Sequence, residues 1–575
     1  MSLSSIIASS SAALVKTQYA ISVSDTNIAN AGDTSISRKT YSASANTTTS
    51  ALTEGAVSRA ANAYLTKTVI AKAAEAGRTS VIEEYLQSYD AALGTTDGDD
   101  DLSSLLDAYA SALSGLAASP TSTAEKTSTV TALGAVVTSL GEVSDEIQSL
   151  RTEANRSIAD TVDEINASLA KVASLNDQIA QGTLAGDDMS DLEDQRDAAL
   201  ETLSGLMGAS YYVDSDNRAV VYASSGDLLV GSRAATLSYT ASSTLDASSA
   251  YPGDISGIYL NGKDITTSIT SGELGGLIAL RDEILPNEQA ELDALAAALI
   301  DQVNTTANQG SAYPAPQALT SSADVAASDA FSATGSVRIA VLDSEGTVVS
   351  TQDVDLSAYA TVSDLVAALD ALDGLSASIS SDGKLVLAAD DSANGVALGA
   401  LDAAVGADGE DFSSYFGFND LLTGSGAGDI ALADAIAEDP DRLPTGMLDD
   451  GASLAAGDIG LASGDVSTVT ALSDALSASL DFPAAGDLAA LSDSLSGYAA
   501  RFVSGAASLI SAAASASETA QSAFDYAQTR LQNETAVNLD EELALLTQYQ
   551  TQYEANAQMI SMARDLFDTL VAMMN

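Results

Sequence analysis

The stretch LDEELALLTQYQTQYEANAQMISMARDLFDTL, residues 539–570, carries an apolar residue at every seventh position. The residues of this repeat are Leu539, Leu546, Tyr553, Ile560 and Phe567. A second set lies between them and consists of Leu543, Tyr549, Ala557, Ala563 and Leu570. Asn538 or Asp540 can cap the start, and acidic residues in the first turn suit the positive end of the helix dipole. The pattern predicts a long C-terminal helix of the coiled-coil type.

The N-terminal end repeats this pattern in a weaker form. Ile7, Leu14, Ile21 and Ile28 lie seven residues apart, and Leu3 and Thr17 partly fill the intermediate positions. Because the segment is short and rich in Ser and Thr, we expect this helix to need partners in order to fold. For the C-terminal pattern, an amphipathic helix on a globular core is the alternative interpretation. Heptads at both ends favour two terminal helices that pack together or with neighbouring chains.

The middle of the chain changes its period. Helical periodicity covers 81–92, 102–118, 122–181, 191–207, 274–308 and 487–532, whereas 208–269 alternates with a period of two. After Tyr313-Pro314-Ala315-Pro316, which we interpret as a linker, a ββαββ pattern follows, with a capped helix from Thr361 and a hairpin turn at Asp382-Gly383.

The predicted fold class is therefore multidomain α+β. We expect an elongated molecule with N- and C-terminal coiled-coil helices, a long helical-bundle base, and β-rich modules inserted in the middle. The expected domains are terminal coiled-coil segments at 1–32 with 537–575, a helical rod domain at 33–207, 272–310 and 485–536, a β-rich domain at 208–271, an inserted acidic ββαββ-type domain at 317–425, and an acidic return segment at 426–484.

Composition excludes several classes of function. The 575 residues include 22 Lys and Arg against 80 Asp and Glu, a net charge of −58, which disfavours binding to nucleic acid or to an anionic membrane. The chain has no Cys and no His, so zinc sites of the Cys/His type and Ser-His-Asp or Cys-His catalysis are impossible. The N-terminus lacks a basic residue before its apolar stretch, and no run of eighteen uninterrupted apolar residues occurs. We expect a soluble chain without a cleaved leader.

Three short motifs are compatible with chemistry but have simpler interpretations. Residues 424–429 (GSGAGD) contain one copy of a Gly/Asp pattern that binds calcium in tandem stacks, so we predict a loop. Residues 97–101 (DGDDD) lack the central Gly and distal Glu of an EF-hand, and Asp101 is predicted to cap the helix from Leu102. Residues 381–384 fit Ser-x-x-Lys but fall in the predicted hairpin turn.

Paired carboxylates are weak evidence for glycosidase chemistry in so acidic a chain. We predict no catalytic, cofactor-binding or metal-binding residues, no cofactor and no enzymatic activity.

At both ends the sequence resembles the bacterial flagellar axial proteins, the family of rod, hook and hook-associated proteins. NIAN at 27–30 with Ser37-Arg38 is similar to their N-terminal signature, and VNLDEE at 537–542 with YEANAQ at 553–558 is similar to their C-terminal one. The family commonly has Gly-Tyr before Ser-Arg, whereas Ser35-Ile36 stand here. Internal stretches narrow the resemblance to the FlgK family of first hook-associated proteins: SLNDQI at 174–179, DLEDQRD at 191–197, SGELGGL at 271–277 and, more loosely, FGFNDLL at 416–422.

The resemblance implies a structural subunit that joins the hook to the filament outside the cell. It implies export of the unfolded chain by the flagellar type III apparatus, with hook protein, other hook-associated proteins, copies of itself in a tubular lattice, and a cytoplasmic chaperone at the C-terminal helix as partners. The assembly interface is predicted to comprise Leu3, Ile7, Leu14, Ile21, Ile28, Asn30, Arg38, Leu539, Leu543, Leu546, Tyr553, Asn556, Ile560, Phe567 and Leu570.

Three alternatives remain open. A hook or distal-rod protein would share both terminal signatures but is disfavoured by the DLEDQRD segment and the long helical base. An acidic secreted calcium-binding surface protein would share the composition, but it leaves the paired terminal heptads unexplained. A secreted hydrolase that uses carboxylates is the most distant alternative.

Overall fold

A computed structural model describes residues 2–43, 55–94 and 101–574. Its α-helices are α1 (Leu3–Ala29), α2 (Ala63–Leu93), α3 (Leu102–Ala118), α4 (Thr123–Ala185), α5 (Ser190–Met207), α6 (Gly272–Ala279), α7 (Leu285–Asn308), α8 (Val362–Leu369), α9 (Phe412–Phe416), α10 (Asp434–Glu438), α11 (Ser467–Ser477), α12 (Leu495–Thr535) and α13 (Leu539–Met574). One π-helical turn, Leu280–Ile284, joins α6 to α7. The helices predicted from periodicity are confirmed, most closely at α3 and α5.

The β-strands form small antiparallel sheets of two or three strands. They are β1 (Lys39–Ser42), β2 (Ala56–Arg59), β3 (Ala209–Val213), β4 (Ala219–Ala223), β5 (Leu228–Val230), β6 (Leu237–Ser238), β7 (Tyr259–Leu260), β8 (Lys263–Asp264), β9 (Ala318–Asp324), β10 (Ala333–Thr334), β11 (Ser336–Leu342), β12 (Val348–Asp355), β13 (Leu375–Ile379), β14 (Lys384–Ala389), β15 (Gly395–Ala400), β16 (Ala404–Val405), β17 (Leu422–Thr423), β18 (Ala431–Leu432), β19 (Leu480–Phe482) and β20 (Leu491–Asp493). The predicted multidomain α+β class is confirmed.

The chain divides into two compact units. The first comprises Met1–Leu86, Arg151–Asp282 and Ser511–Asn575. In its part of α4 the apolar residues recur every three or four positions, and Ile158, Val162, Ile165, Leu169 and Val172 are all buried. This spacing keeps one face of the helix in the core over its whole length. The sheets β3-β4-β5 and β6-β7-β8, in the region predicted to be β-rich, belong to the same unit.

The second unit comprises Gln87–Leu150 and Glu283–Ile510. The sheets β12-β11-β15 and β13-β14-β9 contribute to a large apolar core, whose members include Phe331, Leu365, Leu387, Leu398 and Phe416. Local sequence signals define the connections around this core. The Thr361 hydroxyl accepts the N–H of Asp364 and caps α8, and Gly383 adopts a φ of +80° in the turn between β13 and β14. Both predicted features are thereby confirmed.

The FGFNDLL segment docks on α7 within the second unit. The Asn308 side-chain oxygen accepts the Ser413 hydroxyl at 2.8 Å and the Asn419 N–H at 2.9 Å, and its amide donates to Asp420 at 2.6 Å. The Asn304 side-chain oxygen accepts the N–H groups of Leu421 and Leu422, both at 3.0 Å. Two asparagines spaced one helical turn apart therefore hold this segment against the helix.

Three features differ from the sequence expectations. The region expected to be helical from residue 33 contains the β1–β2 hairpin. The helix expected from 487 begins at Leu495, because the β19–β20 hairpin precedes it. Pro483 and Gly486 lie between the two strands of that hairpin. Tyr313-Pro314-Ala315-Pro316 is a packed segment and not a free linker, since the buried Lys126 amine donates to the Tyr313 carbonyl at 2.9 Å. Asp101 caps α3 as predicted, while residues 97–100 of that motif lie outside the described residues.

One stretch within Leu495–Met573 is long and apolar enough to cross a membrane by length and composition alone. A single stretch of this kind is weak evidence for a membrane span, because the packed helices of soluble proteins meet the same criterion. The absence of a membrane partner stays a prediction.

Candidate assembly interface

The two chain ends pair with each other as helices in the first unit. The Ser24 hydroxyl, near the end of α1, donates to Glu542 Oε2 at 2.7 Å, near the start of α13. Burial along α13 then continues from Glu542 to Ala563. The pair is therefore antiparallel, and α13 runs beyond the first residue of α1 at its far end.

Small and polar side chains occupy the centre of this contact on α1. The buried residues there are Ser10, Thr17, Ala20, Ser24 and Asn27. Ser10, Thr17 and Ser24 are seven residues apart, so a heptad exists, but it is not the apolar heptad that the sequence emphasises. Small side chains allow the axes of two helices to approach closely. We name these five buried residues the seam of α1; Ser24 bonds Glu542 of α13, and Asn27 bonds the backbone of Lys39 on β1.

The predicted apolar residues of α1 lie beside the seam. Leu3, Ile7, Leu14, Ile21 and Ile28 are each half-buried. The single chain covers these side chains only in part, and their role as an assembly surface stays a prediction. Apolar side chains that remain partly exposed along one helix are available to further helices.

Most of the predicted residues on α13 are also uncovered. Leu546, Asn556 and Ile560 are half-buried, whereas Leu539, Leu543, Tyr553, Phe567 and Leu570 are exposed. Ala563 is the last buried residue of α13, and beyond it Phe567 is 56% exposed and Leu570 is 50% exposed. We name this end of the helix, residues 564–574, the α13 overhang. Its exposed large apolar side chains are Leu566, Phe567, Leu570, Val571 and Met573.

Arg38 connects the N-terminal segment to the start of α13. Its Nε donates to Glu542 Oε1 at 2.8 Å, its Nη1 lies 3.2 Å from Glu541 Oε2, and its backbone N–H donates to the Thr535 carbonyl at 2.7 Å. The Glu542 side chain is only 3% exposed, so Arg38 and Ser24 together satisfy a buried carboxylate. Asn30, another predicted residue, is half-buried and forms the C-cap of α1.

Sequence reasoning missed two further contacts that fix the Ser-Arg segment. The Asn27 amide donates to the Lys39 carbonyl at 2.8 Å, and its oxygen accepts the Lys39 N–H at 3.0 Å, so one side chain satisfies both backbone groups. Lys39 also pairs with Asp191 on α5. The signal for Asn27 was present, since a polar residue stands at a seam position seven residues after Ala20.

The second missed contact brings together two distant motifs. Ser37 donates to Asp194 through its N–H at 3.0 Å and its hydroxyl at 2.8 Å, and Arg59 on β2 bonds Glu193, Asp194 and Asp197 at 2.7–2.8 Å. Burial raises the pKa of Asp197 above its usual range, although Arg59 opposes the shift. The DLEDQRD segment is therefore a docking platform for the hairpin that follows α1.

The acidic loops offer no metal centre among the described residues, where no group of three Asp or Glu side chains could share an ion. The GSGAGD segment is the predicted loop. Its Asp429 carboxylate accepts the N–H groups of Ser425 and Gly426, both at 2.8 Å, which hold the pKa of Asp429 below its usual range. The carboxylate is thus engaged in closing its own turn.

The C-terminal part of the chain is similar to flagellar rod proteins. Residues 530–573 match the family model for the C-terminal part of the flagellar basal body rod FlgEFG proteins. The interior of the chain gives a more specific match, because residues 86–315 match the model for the helical domain of the flagellar hook-associated protein FlgK. The resemblance that the sequence motifs indicated is thereby confirmed.

Individual relatives agree with these matches. Flagellar hook-associated protein 1 of Escherichia coli K12 is 31% identical over 161 residues, and that of Salmonella typhimurium is 31% identical over 163 residues. Each alignment covers 28% of this chain and 29% of the relative, so the match spans less than a third of either protein. The solved flagellar hook junction protein FlgK from Burkholderia pseudomallei covers 81% of this chain and 99% of its own, at a TM-score of 0.51 and 16% identity. It shows that the fold is shared.

Proposed function

We propose that this protein is a structural junction subunit of the bacterial flagellum that connects the hook to the filament outside the cell. The observation that carries the proposal is the antiparallel pair of terminal helices, which leaves apolar side chains of α1 and of the α13 overhang uncovered. The similarity of residues 530–573 to rod proteins and of residues 86–315 to FlgK supports this proposal.

The uncovered helix faces support a lattice of copies as the main partner. Half-buried residues such as Ile7 and Ile21, and exposed residues such as Phe567, lie on surfaces that neighbouring helices would cover. We propose contacts with copies of this chain in a tubular lattice, with hook protein, and with other hook-associated proteins. Residues 1–32 and 537–575 would make these contacts, and the acidic domain at 317–425 would face solvent.

Export is part of the same proposal. We infer that the chain passes unfolded through the flagellar type III apparatus, and that a cytoplasmic chaperone covers the α13 overhang until then. The exposed Phe567 and Leu570 need such a cover in the cytoplasm, because an apolar helix end is prone to aggregation. A chain without cysteine forms no disulfide that would block threading. We propose no enzymatic role and no cofactor.

A strain that lacks the gene provides the test. We expect electron microscopy to show hooks without filaments, with filament protein shed into the medium and wild-type motility restored by the gene in trans. A hook or distal-rod subunit, the second candidate favoured by the match at 530–573, would instead leave the cell without complete hooks. Normal filaments in the deletion strain would contradict both assignments.

A further inference from the structure

A buried carboxyl group on α7 has no basic partner among the described residues. Glu288 is 4% exposed, and its Oε2 accepts the hydroxyl of Tyr89 at 2.9 Å. Tyr89 itself is fully buried on α2, in the part of that helix that belongs to the second unit. A carboxylate removed from water without a cation is unfavourable, because its lost hydration is only partly replaced by one hydroxyl.

The other titratable groups around Glu288 are also acidic. Glu291, one turn further along α7, is 3% exposed and accepts the Asp487 N–H at 2.8 Å. The Asp487 carboxylate accepts the Asn287 amide at 3.1 Å, and the Tyr498 hydroxyl of α12 donates to the Glu291 carbonyl at 3.3 Å. The titratable groups that act on Glu288 are thus Tyr89 of α2, Glu291 of α7 and Asp487 of the segment before α12, and Tyr498 of α12 bonds the neighbouring Glu291 carbonyl.

This arrangement favours the protonated form of the acid. Burial raises the pKa of Glu288 to about 7, the hydrogen bond from Tyr89 opposes that shift, and Glu291 and Asp487 add to it. Burial likewise raises the pKa of Glu291. An unfolded glutamate ionises near 4.5, so the folded state binds a proton across an interval in which the unfolded state has released it.

We propose that Glu288 makes the second unit sensitive to proton concentration near neutrality, so that this core is tight when the carboxyl group is protonated and loosened when it is ionised. The sign follows from linkage. The stabilisation is complete at a pH below about 4.5, decreases as the pH rises, and is lost above about 7.

The use of such a device rests on the proposed function. A subunit that must be unfolded before export and folded after it benefits from a core that loosens in an alkaline compartment and tightens in a more acidic exterior. The dependence of the second unit's stability on pH is a property of the isolated chain.

The test is urea unfolding of the purified full-length protein at steps from about pH 5 to about pH 8.5, read by hydrogen exchange in peptides from α7. The variants are Glu288→Gln and, as a matched control, Glu345→Gln in an exposed turn of the same unit. We expect the equilibrium constant for opening α7 to rise with pH by roughly ten- to a hundredfold more in the wild type than in Glu288→Gln. The control should follow the wild type.

Equal pH profiles for the wild type and Glu288→Gln would overturn the proposal. A second variant keeps it testable if Glu288→Gln does not fold. Tyr89→Phe removes the donor that favours the ionised form, so the midpoint of the pH dependence should move to a higher pH, and an unchanged or lower midpoint would also overturn it. Because these readouts use the isolated protein, they stand apart from the deletion-strain test of the proposed function.

Discussion

The α1–α13 pair and the core around β11 and β14 represent two ways of holding a chain together. The core packs large side chains such as Phe331, Leu387 and Phe416 on all sides. The terminal pair uses Ser, Thr and Ala at its centre and leaves Ile7 and Phe567 at least partly in water. Burial of large apolar groups is the main stabilising contribution in folding. The core is therefore complete within one chain, whereas the pair leaves apolar side chains for the neighbouring subunits that we propose.

The sharpest test of this comparison is a carboxylate placed beside the terminal contact. Ile560→Asp on α13 or Ile21→Asp on α1 should abolish incorporation at the hook tip and motility while the second unit stays folded. Each change costs several kcal/mol if the new carboxylate is buried in the lattice, roughly the price of burying an unpaired charge. The assay is motility with electron microscopy, beside circular dichroism of the purified variant.

Gln558→Asp is the matched control for that experiment, because residue 558 is exposed on the opposite side of α13. It adds the same charge and should assemble normally. Wild-type motility in both isoleucine variants would contradict the assignment of these helices to the tubular contact.

The complete core should instead respond through its own stability. Asn308→Ala removes the partner of the Ser413 hydroxyl and of the Asn419 N–H in a buried place, and one of the two donors to Asp420, which keeps the Ser322 hydroxyl. We expect the free energy of unfolding of the second unit to fall by about 2–4 kcal/mol, since buried polar groups are left unpaired. Denaturant unfolding measures the change, with Asn394→Ala in the turn before β15 as the control. If the free energy of unfolding falls by less in Asn308→Ala than in the control, the docked segment contributes little to the stability of the second unit.

A smaller effect is expected where the terminal pair relies on charge. Glu542→Gln removes the negative partner of Arg38 and weakens the bond to Ser24, which should reduce the free energy of pairing by about 1–3 kcal/mol. Hydrogen exchange over α1 in the monomer reports this loss as faster exchange. Glu541→Gln, at an exposed neighbouring position, should change it by less than about 1 kcal/mol. Equal effects of the two variants would contradict a specific role of Glu542.

The smallest expected effect is that of salt on association. A net charge of −58 makes neighbouring copies repel each other, and about 0.15 M salt screens this repulsion over a Debye length near 8 Å. Burial of Leu539, Leu546 and Phe567 is little affected by salt. Self-association or addition to isolated hooks should therefore strengthen a few-fold with moderate NaCl. Sedimentation at stepped NaCl measures it, and binding that weakens steadily would indicate complementary charges between copies.

Local signals predicted much of the fold. Asp101 and Thr361 cap helices where the sequence places them, and Gly383 occupies the predicted hairpin turn, because caps and turns depend on a few adjacent residues. The β1–β2 hairpin and the packed Tyr313 segment were not predictable, since each depends on partners far away in the sequence.

The candidate interface was predictable only in part. The heptads identified α1 and α13, and Arg38 was found at their junction, but periodicity of large apolar residues indicated Ile7 and Ile21 and not the seam of Ser10 and Thr17. A pattern of side chains shows which face will be covered and says nothing of which chain covers it. The Arg59 cluster was missed because an arginine among 80 acids has many possible partners.

The Ser24–Glu542 contact has a consequence for alignment. Ser10, Thr17 and Ser24 present nearly the same side chain at three successive heptad positions, so sliding one helix by about 10.5 Å would replace each seam contact with a near copy. Glu542 breaks this degeneracy, because it meets Ser24 and Arg38 in a single register. One polar residue fixes register in this way in coiled coils. The register of the two terminal helices is therefore set mainly by one buried carboxylate and not by the residues along the whole contact.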